Sequence, residues 1–263
     1  MAVYLRKTGD RVGFVREVLR AHRRMLEDAR GVLVKPNVVS WEPYPTTTHP
    51  DVLRATLEFL EEVGVDYIVA DGPAFDAGRS SEILSAHPLN QVCREFNKVL
   101  EDMYAMPMEA IESSRGFKLA VHTPPKGYII LSLPVLKAHF VCKLTAALKN
   151  QFGLLAKRDR ILAHLRLKNI HKCIAELNAR LRPALTILDA IEVLVKAQEL
   201  RHGGRKATLG YMAASTDPVA LDTLALELLR KVDSSIPEGR EVEYIKLAEE
   251  YGVGSSHYTL KQL

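Results

Sequence analysis

The chain has 263 residues, of which 47% are hydrophobic, so it is long enough to bury a substantial core. Its 36 basic and 32 acidic residues give a net charge of +4, a smaller excess than dedicated nucleic-acid binders carry. The composition therefore disfavours nucleic acid as a partner and suits a small anionic metabolite.

The cysteines and the N-terminal segment set further limits. Cys93, Cys142 and Cys173 are far apart and form no CxxC pair, so alone they cannot build a zinc site or an iron–sulfur cluster. We expect buried, reduced thiols and no intrinsic iron–sulfur cluster. The N-terminus lacks the apolar core of a signal peptide, and no stretch approaches the roughly 20 apolar residues of a membrane-spanning helix. These features predict a cytoplasmic protein without a membrane partner.

The first part of the chain alternates predicted strands and helices. Residues 2–6 and 31–34 have the apolar pattern of strands, and residues 11–30 have that of an amphipathic helix. The second strand ends abruptly at Lys35 and Asn37, which are the first candidate site residues.

A proline-rich loop over residues 38–48 precedes a helix that ends at Gly64. Either Thr48 or His49 is expected to cap this helix. Because capping does not require an imidazole, His49 is also a candidate for ligand binding. The next strand, residues 66–70, ends at Asp71.

Two consecutive strand–helix–strand units predict an α/β fold with a mostly parallel, doubly wound sheet flanked by helices. Ligands of such sheets bind outside the carboxyl ends of the strands, so Lys35, Asn37 and Asp71 should share one edge.

Residues 1–263 are predicted to form a single domain, in which residues 73–127 are a candidate variable insertion. Two apolar or alternating runs, residues 117–121 and 128–133, are separated by a proline-containing turn. This pattern predicts an antiparallel hairpin near residues 117–133.

Residues 131–155 carry many cationic and amide side chains within an apolar segment. The stretch is predicted to begin as a buried strand and to end as a helix. Lys137 and His139 follow the strand, whereas Lys149 and Asn150 lie in the helix. If that helix begins near His139, Lys149 and Asn150 lie about three turns inside it and reach a ligand only if the helix starts late or is broken.

Residues 160–181 have the pattern of one helix. His164 and His171 lie on a face of it that is either solvated or directed towards a ligand. Both interpretations of the two histidines, as solvated residues or as residues near a ligand, stay open.

The last third of the chain adds two more strand ends. Residues 185–188 are predicted to form a strand that ends at Asp189. A strand over residues 209–214 precedes an apolar helix that either Thr216 or Asp217 caps. Between these strands, residues 193–206 form a basic loop, which could close over an anion or form a mobile surface.

Together these residues predict a site at the strand ends. Lysines bind phosphate or carboxylate as point charges, and carboxylates beside them suit acid–base chemistry or a divalent cation. We assign Lys137, His139 and Asp71 to catalysis. The residues assigned to substrate binding are Lys35, Asn37, His49, Lys149 and Asn150. Asp189 and Asp217 are candidate ligands of a divalent cation.

Six ordered motifs resemble the domain-of-unknown-function family 362. They are KPN at 35–37, TTHP at 47–50, DGP at 71–73, LPVLKAH at 133–139 with ALKNQFGLL at 147–155, RP at 182–183 before LTILDAI, and STDPVALD at 215–222. The likeness covers about residues 31–254. Members of the family often carry an added ferredoxin-like module of clustered cysteines, which these residues do not contain. The chain departs from the family after Asp189, where the family tends to have a glycine- and proline-rich turn.

Three functions are compatible with these observations. The favoured one is an enzyme that acts on a small phosphorylated or carboxylated metabolite, with a divalent cation as an open option. The second is a redox protein that works with a separate iron–sulfur, ferredoxin-like partner. The third is a non-enzymatic binder of nucleic acid or another anion through basic residues at 16–24 and 201–206. The reaction, cofactor and oligomeric state stay open.

Overall fold

The structure is a computed structural model that describes residues 1–236 and 242–261. The single-domain prediction over residues 1–263 therefore includes residues 237–241 and 262–263, which lie outside the described residues. The strands are β1 (Ala2–Lys7), β2 (Gly31–Pro36), β3 (Tyr67–Asp71), β4 (Leu100–Asp102), β5 (Met108–Glu112), β6 (Lys118–His122), β7 (Tyr128–Leu133), β8 (Val135–His139), β9 (Lys143–Thr145), β10 (Leu185–Val195), β11 (Arg205–Ser215) and β12 (Thr259–Lys261).

The described residues form ten α-helices. They are α1 (Arg11–Ala21), α2 (Arg23–Glu27), α3 (Pro50–Val63), α4 (Ser80–Ala86), α5 (Pro88–Glu95), α6 (Ala147–Asn150), α7 (Lys157–His164), α8 (Ile170–Arg180), α9 (Pro218–Arg230) and α10 (Glu243–Glu250). Asp217 caps α9 and His49 caps α3, each accepting a hydrogen bond from a backbone N–H of its helix.

One large sheet has the strand order β12-β1-β11-β10-β7-β2-β3-β4. Strands β10, β7, β2, β3 and β4 pair in parallel, whereas β11 runs antiparallel to β1 and β10. Strand β8 pairs in parallel with the distal part of β10 and holds β9 in an antiparallel pair. The prediction of an α/β fold with a mostly parallel sheet flanked by helices is confirmed.

Alternate residues of the central strands face two separate apolar layers. Val32 and Val34 pack with residues of α1, α3 and α5, whereas Leu33 packs into the layer that contains residues of α6, α8, α9 and α10. This alternation follows from the two-residue period of a strand. Because both faces are covered, the central strands read as continuous apolar runs in the sequence.

The antiparallel hairpin is present, but its strands differ from the predicted pair. β6 pairs with β5, so that Ala110 lies opposite Ala120. β7 lies instead in the large sheet, in parallel between β2 and β10. The reason is burial: Ile130, Leu131 and Leu133 are buried, which a central strand provides and a peripheral hairpin does not.

Two predicted long helices are divided. The segment predicted as one helix over residues 11–30 forms α1 and α2, and the segment over residues 160–181 forms α7 and α8. Between α7 and α8, Arg166 has a φ of 61°, in the left-handed region that ends a helix. The break leaves His164 at the end of α7, whereas His171 stacks on Tyr244.

Residues 131–155 form three strands before they form a helix. The chain passes from β7 through β8, turns back as β9, and enters α6 at Ala147. Lys149 and Asn150 are therefore in the first turn of a helix that starts late. The predicted loop at 193–206 is shorter than expected, because β10 continues to Val195 and β11 begins at Arg205.

Candidate functional site

A pocket of about 580 Å³ lies at the carboxyl ends of β2, β3 and β8. Seven of the ten residues that the sequence analysis assigned to a site line it. They are Lys35, Asn37, Asp71, Lys137, His139, Lys149 and Asn150. The parallel sheet explains this convergence, because the carboxyl ends of its strands meet at one edge.

Lys35 and Asp71 form an ion pair at the base of the pocket. The Lys35 ammonium lies 2.5 Å from Asp71 Oδ1, and both side chains are buried. Asp71 also accepts hydrogen bonds from the backbone N–H groups of Val38, at 2.6 Å, and Gly72, at 2.8 Å. Burial lowers the pKa of Lys35, and the Asp71 carboxylate opposes that effect. Asp71 therefore joins the ends of β2 and β3, and its oxygens already have partners.

Lys137 has an environment that suits a neutral amine. Its buried Nζ donates to Asn37 Oδ1 and, at 2.6 Å, to the carbonyl of Thr46. Burial and the charge of Lys149 lower the pKa of Lys137 to about 7, against the opposing effect of Glu199. A neutral amine has two N–H donors and one lone pair, so both donors are satisfied and the lone pair remains able to take up a proton.

His139 presents a hydrogen-bond donor to the pocket. Its Nδ1 accepts from the backbone N–H groups of Val141 and Cys142, both at 3.1 Å. The proton of the neutral ring therefore belongs on Nε2. Burial, together with the charges of Lys149 and Lys137, lowers the pKa of His139 well below its usual value. In this state the imidazole can donate from Nε2 but cannot accept a proton there.

Lys149 differs from Lys35 and Lys137 in having no polar partner among the described residues. Its ammonium lies 5.2 Å from the centre of the Phe152 ring. Within residues 1–236 and 242–261, no carboxylate or hydrogen-bond acceptor pairs with it. Burial lowers the pKa of Lys149, and the charge of Arg160 acts in the same direction. Lys149 is only partly buried, so water can reach its ammonium, and an anionic ligand in the pocket would pair with it.

Asn150 and Thr145 are two of the four lining residues, with Arg160 and Gln198, that have a buried side-chain polar atom without a partner among the described residues. Asn150 donates from Nδ2 to Ser132 Oγ at 2.9 Å, but its Oδ1 accepts nothing within the described part of the chain. The hydroxyl of Thr145 is likewise unpartnered. Because buried polar atoms are normally hydrogen-bonded, these two atoms are suited to a ligand or to water.

Arg160 is a lining residue that the sequence analysis did not identify. Its guanidinium donates to the carbonyls of Gly72, at 2.7 Å, and Pro73, at 3.0 Å, and also to the Tyr104 hydroxyl. It ties α7 to the turn after β3. No local signal marks it, because its carbonyl partners are 87 and 88 residues away in the chain.

The connection from β10 to β11 forms part of the pocket rim. Lys196, Ala197, Gln198, Glu199 and His202 line the pocket. The buried Glu42 carboxylate accepts from the backbone N–H groups of Leu200, at 2.8 Å, and Arg201, at 2.7 Å. The connection is therefore fastened to the loop that follows β2.

His49, Asp189 and Asp217 are not among the lining residues. Asp189 pairs with Arg11 at 2.7 Å and accepts from the Tyr44 hydroxyl at 3.1 Å. Asp217 accepts from three backbone N–H groups at the start of α9 and at residue 255. Over the described residues, no group of three or more His, Cys, Asp or Glu side chains is placed to hold a metal ion. The metal assignment stays a prediction without geometric support.

The three cysteines are buried and separate. Burial raises the pKa of Cys93 to about 12, that of Cys142 to about 11 and that of Cys173 to about 12. Such thiols are protonated at neutral pH and unreactive.

Comparison with known proteins gives a family and one distant relative. The family model described as Domain of unknown function (DUF362) matches residues 32–227. A thylakoid-associated protein of Synechocystis sp. is 27% identical over 217 residues, which are 78% of this chain and 65% of that protein. The chain thus spans just under two thirds of that relative's length. Among the described helices, none is long and apolar enough to cross a membrane.

Proposed function

The chain belongs to the DUF362 family. We propose that its pocket binds a small carboxylated or phosphorylated metabolite, removes a proton from it and can return that proton. The observation that carries the proposal is the ammonium of Lys149, which has no polar partner among the described residues and shares the pocket with Lys137 and His139.

The charge balance of the lining supports an anionic ligand. Among the described residues, the lining contains six lysines and arginines but three aspartates and glutamates. Of the six, Lys35 pairs with Asp71, Lys196 pairs with Asp233, and Lys137 is the neutral amine of this proposal. Each of the three carboxylates is already engaged: Asp71 with Lys35, and Asp76 and Glu199 with Arg201. A carboxylate or phosphate at Lys149 would supply the missing negative charge.

The three side chains would then have different roles. Lys149 holds the anion by charge, and His139 donates a hydrogen bond from Nε2 to an oxygen of the ligand. The Lys137 amine accepts a proton from the ligand on its lone pair and becomes an ammonium that can return it. A base whose pKa lies near the working pH is effective in both directions.

The alternatives have less support. Arg16 pairs with Glu58 and Glu62, and Arg23 pairs with Glu27, so the basic helix proposed for nucleic acid is partly neutralised. The redox alternative places the iron–sulfur cluster in a separate partner, so the buried, dispersed cysteines of this chain give it no support. The relative's name refers to thylakoids, and for this chain a cytoplasmic location stays part of the proposal.

The test compares two lysines of neighbouring elements. Thermal unfolding is measured with inorganic phosphate or acetate and, at equal ionic strength, with chloride. Phosphate or acetate should raise the Tm of the unmodified protein more than chloride does. Lys149→Met should remove that difference, whereas Lys143→Met should keep it, because Lys143 is exposed and outside the lining. An equal response of both variants would refute the proposal.

A further inference from the structure

We infer that the ligand of this pocket joins its anionic group to an aromatic or similarly flat apolar body. The inference rests on the proposed function, because the anionic group would occupy the site at Lys149. It goes further by defining the other part of the ligand.

The size of the pocket exceeds the need of a simple anion. Its volume of about 580 Å³ lies within the range of roughly 300–1,000 Å³ that holds organic ligands of drug size. A bare phosphate or acetate at Lys149 would leave most of this space to water. The volume therefore favours a ligand whose anionic group is attached to a larger organic body.

An aromatic surface begins directly at the anion site. The ring of His164 contacts both Phe75, with ring centres 5.2 Å apart, and Phe152, with ring centres 5.7 Å apart. Phe152 is also the ring that Lys149 approaches. All four side chains line the pocket. A ligand held by Lys149 thus has a continuous aromatic surface beside it, against which a flat ring can stack or pack edge to face.

A second apolar surface lies at the pocket mouth. Phe140, in the turn between β8 and β9, is 63% exposed, and Leu165, after α7, is 62% exposed. Both line the pocket. The Phe140 ring stacks on His139 with centres 5.5 Å apart and planes 10° apart. Exposed apolar side chains at a pocket are stabilised when a ligand covers them.

A hydroxyl-rich body would fit this lining poorly. Hydroxyl groups placed against Phe75, Phe140 and Phe152 would lose their hydrogen bonds to water without gaining partners from those rings. An aromatic body loses no hydrogen bonds against these rings, and its apolar surface is removed from water.

The experiment uses two matched pairs of probes. Binding of inorganic phosphate is compared with phenyl phosphate, and acetate with benzoate, by titration of the full chain. In at least one pair, the phenyl compound should bind about tenfold or more tightly than its simple counterpart. The pair with the larger difference identifies the anionic group as phosphate or carboxylate.

Two variants test which side chains produce the tighter binding of the phenyl compounds. Phe75→Ala and Phe140→Ala should each reduce the phenyl advantage several-fold and leave the affinity for the simple anion nearly unchanged. Phe96→Ala, at a partly buried phenylalanine away from the pocket, and Met108→Ala, at an exposed apolar residue, are the matched controls. These controls should bind as the unmodified protein does.

The outcomes separate the inference from the proposed function. Binding of simple anions that depends on Lys149, with no gain from the phenyl group in either pair, overturns the inference alone. A phenyl advantage that Phe75→Ala and Phe140→Ala leave intact also overturns it. No anion binding that depends on Lys149 overturns the proposed function and the inference together.

Discussion

The carboxylate of Asp222, on α9, accepts a hydrogen bond at 2.6 Å from the backbone N–H of Ala147, the first residue of α6. A second oxygen accepts from Leu148 at 3.3 Å. The residue before α6, Ala146, provides no side-chain cap, so Asp222 caps this helix from 75 residues away in the chain. It thereby sets the position of Lys149 in the pocket.

Replacing Asp222 should weaken α6 and make stability less dependent on pH. Asp222→Ala removes both acceptors, so the free energy of unfolding should fall by about 1–3 kcal/mol, and anion binding at Lys149 should weaken with it. Asp222→Asn keeps one acceptor, so it should lower the free energy of unfolding by less. Urea denaturation measures the first effect and titration with phosphate or acetate the second.

The pH dependence of Asp222 has a defined sign. Burial raises the pKa of Asp222 to about 7, above the value of about 4 in the unfolded chain. The folded protein therefore binds more protons over this interval. The stability of the unmodified protein relative to Asp222→Asn should fall as the pH rises from about 4 to 7 and level off above. A constant difference across that interval would contradict the assignment.

Lys137 should show the opposite trend. Its pKa of about 7 in the folded protein is below the value of about 10.4 in the unfolded chain, so the unfolded state binds more protons between these values. The stability of the unmodified protein relative to Lys137→Met should therefore rise with pH from about 7 to 10. Chemical denaturation at several pH values across the range tests this.

Replacing only one partner of the Lys35–Asp71 ion pair should strongly destabilise the folded protein. Asp71→Asn leaves the buried Lys35 ammonium uncompensated, which should lower the free energy of unfolding by about 3–5 kcal/mol. The double variant Lys35→Met with Asp71→Asn should be more stable than Asp71→Asn alone, since no buried charge remains. A double-mutant cycle by urea denaturation measures the coupling, and strictly additive losses would argue against a coupled pair.

His139 should stay neutral, with its proton on Nε2, through the neutral pH range. The hydrogen bonds that Nδ1 accepts from Val141 and Cys142, together with burial, oppose protonation of the ring. Nitrogen NMR of the imidazole should show the Nε2–H tautomer without titration between about pH 6 and 8. A titration in this range, or a proton on Nδ1, would remove the role as a neutral donor.

The local patterns of the sequence predicted much of the fold and one wall of the pocket. Continuous apolar runs separated by amphipathic helices are typical of a parallel sheet, and strand ends of such a sheet meet at one edge. That reasoning placed Lys35, Asn37 and Asp71 together, as the structure does. It did not place β7, because an apolar run of six residues looks the same in a hairpin and in a central strand.

The tertiary structure decided what depends on distant partners. The sequence by itself determined which residues can carry charge at the strand ends and which segments form strands and helices. Only in the tertiary structure does Asp222 cap α6 at Ala147, which places Lys149 in the pocket. Only there does Arg160 donate to the turn after β3. Only the fold gave Lys35 and Lys137 partners and left Lys149 without one among the described residues. The physical reason is that a buried charge is governed by its partner and its burial, and neither is encoded in the neighbouring residues.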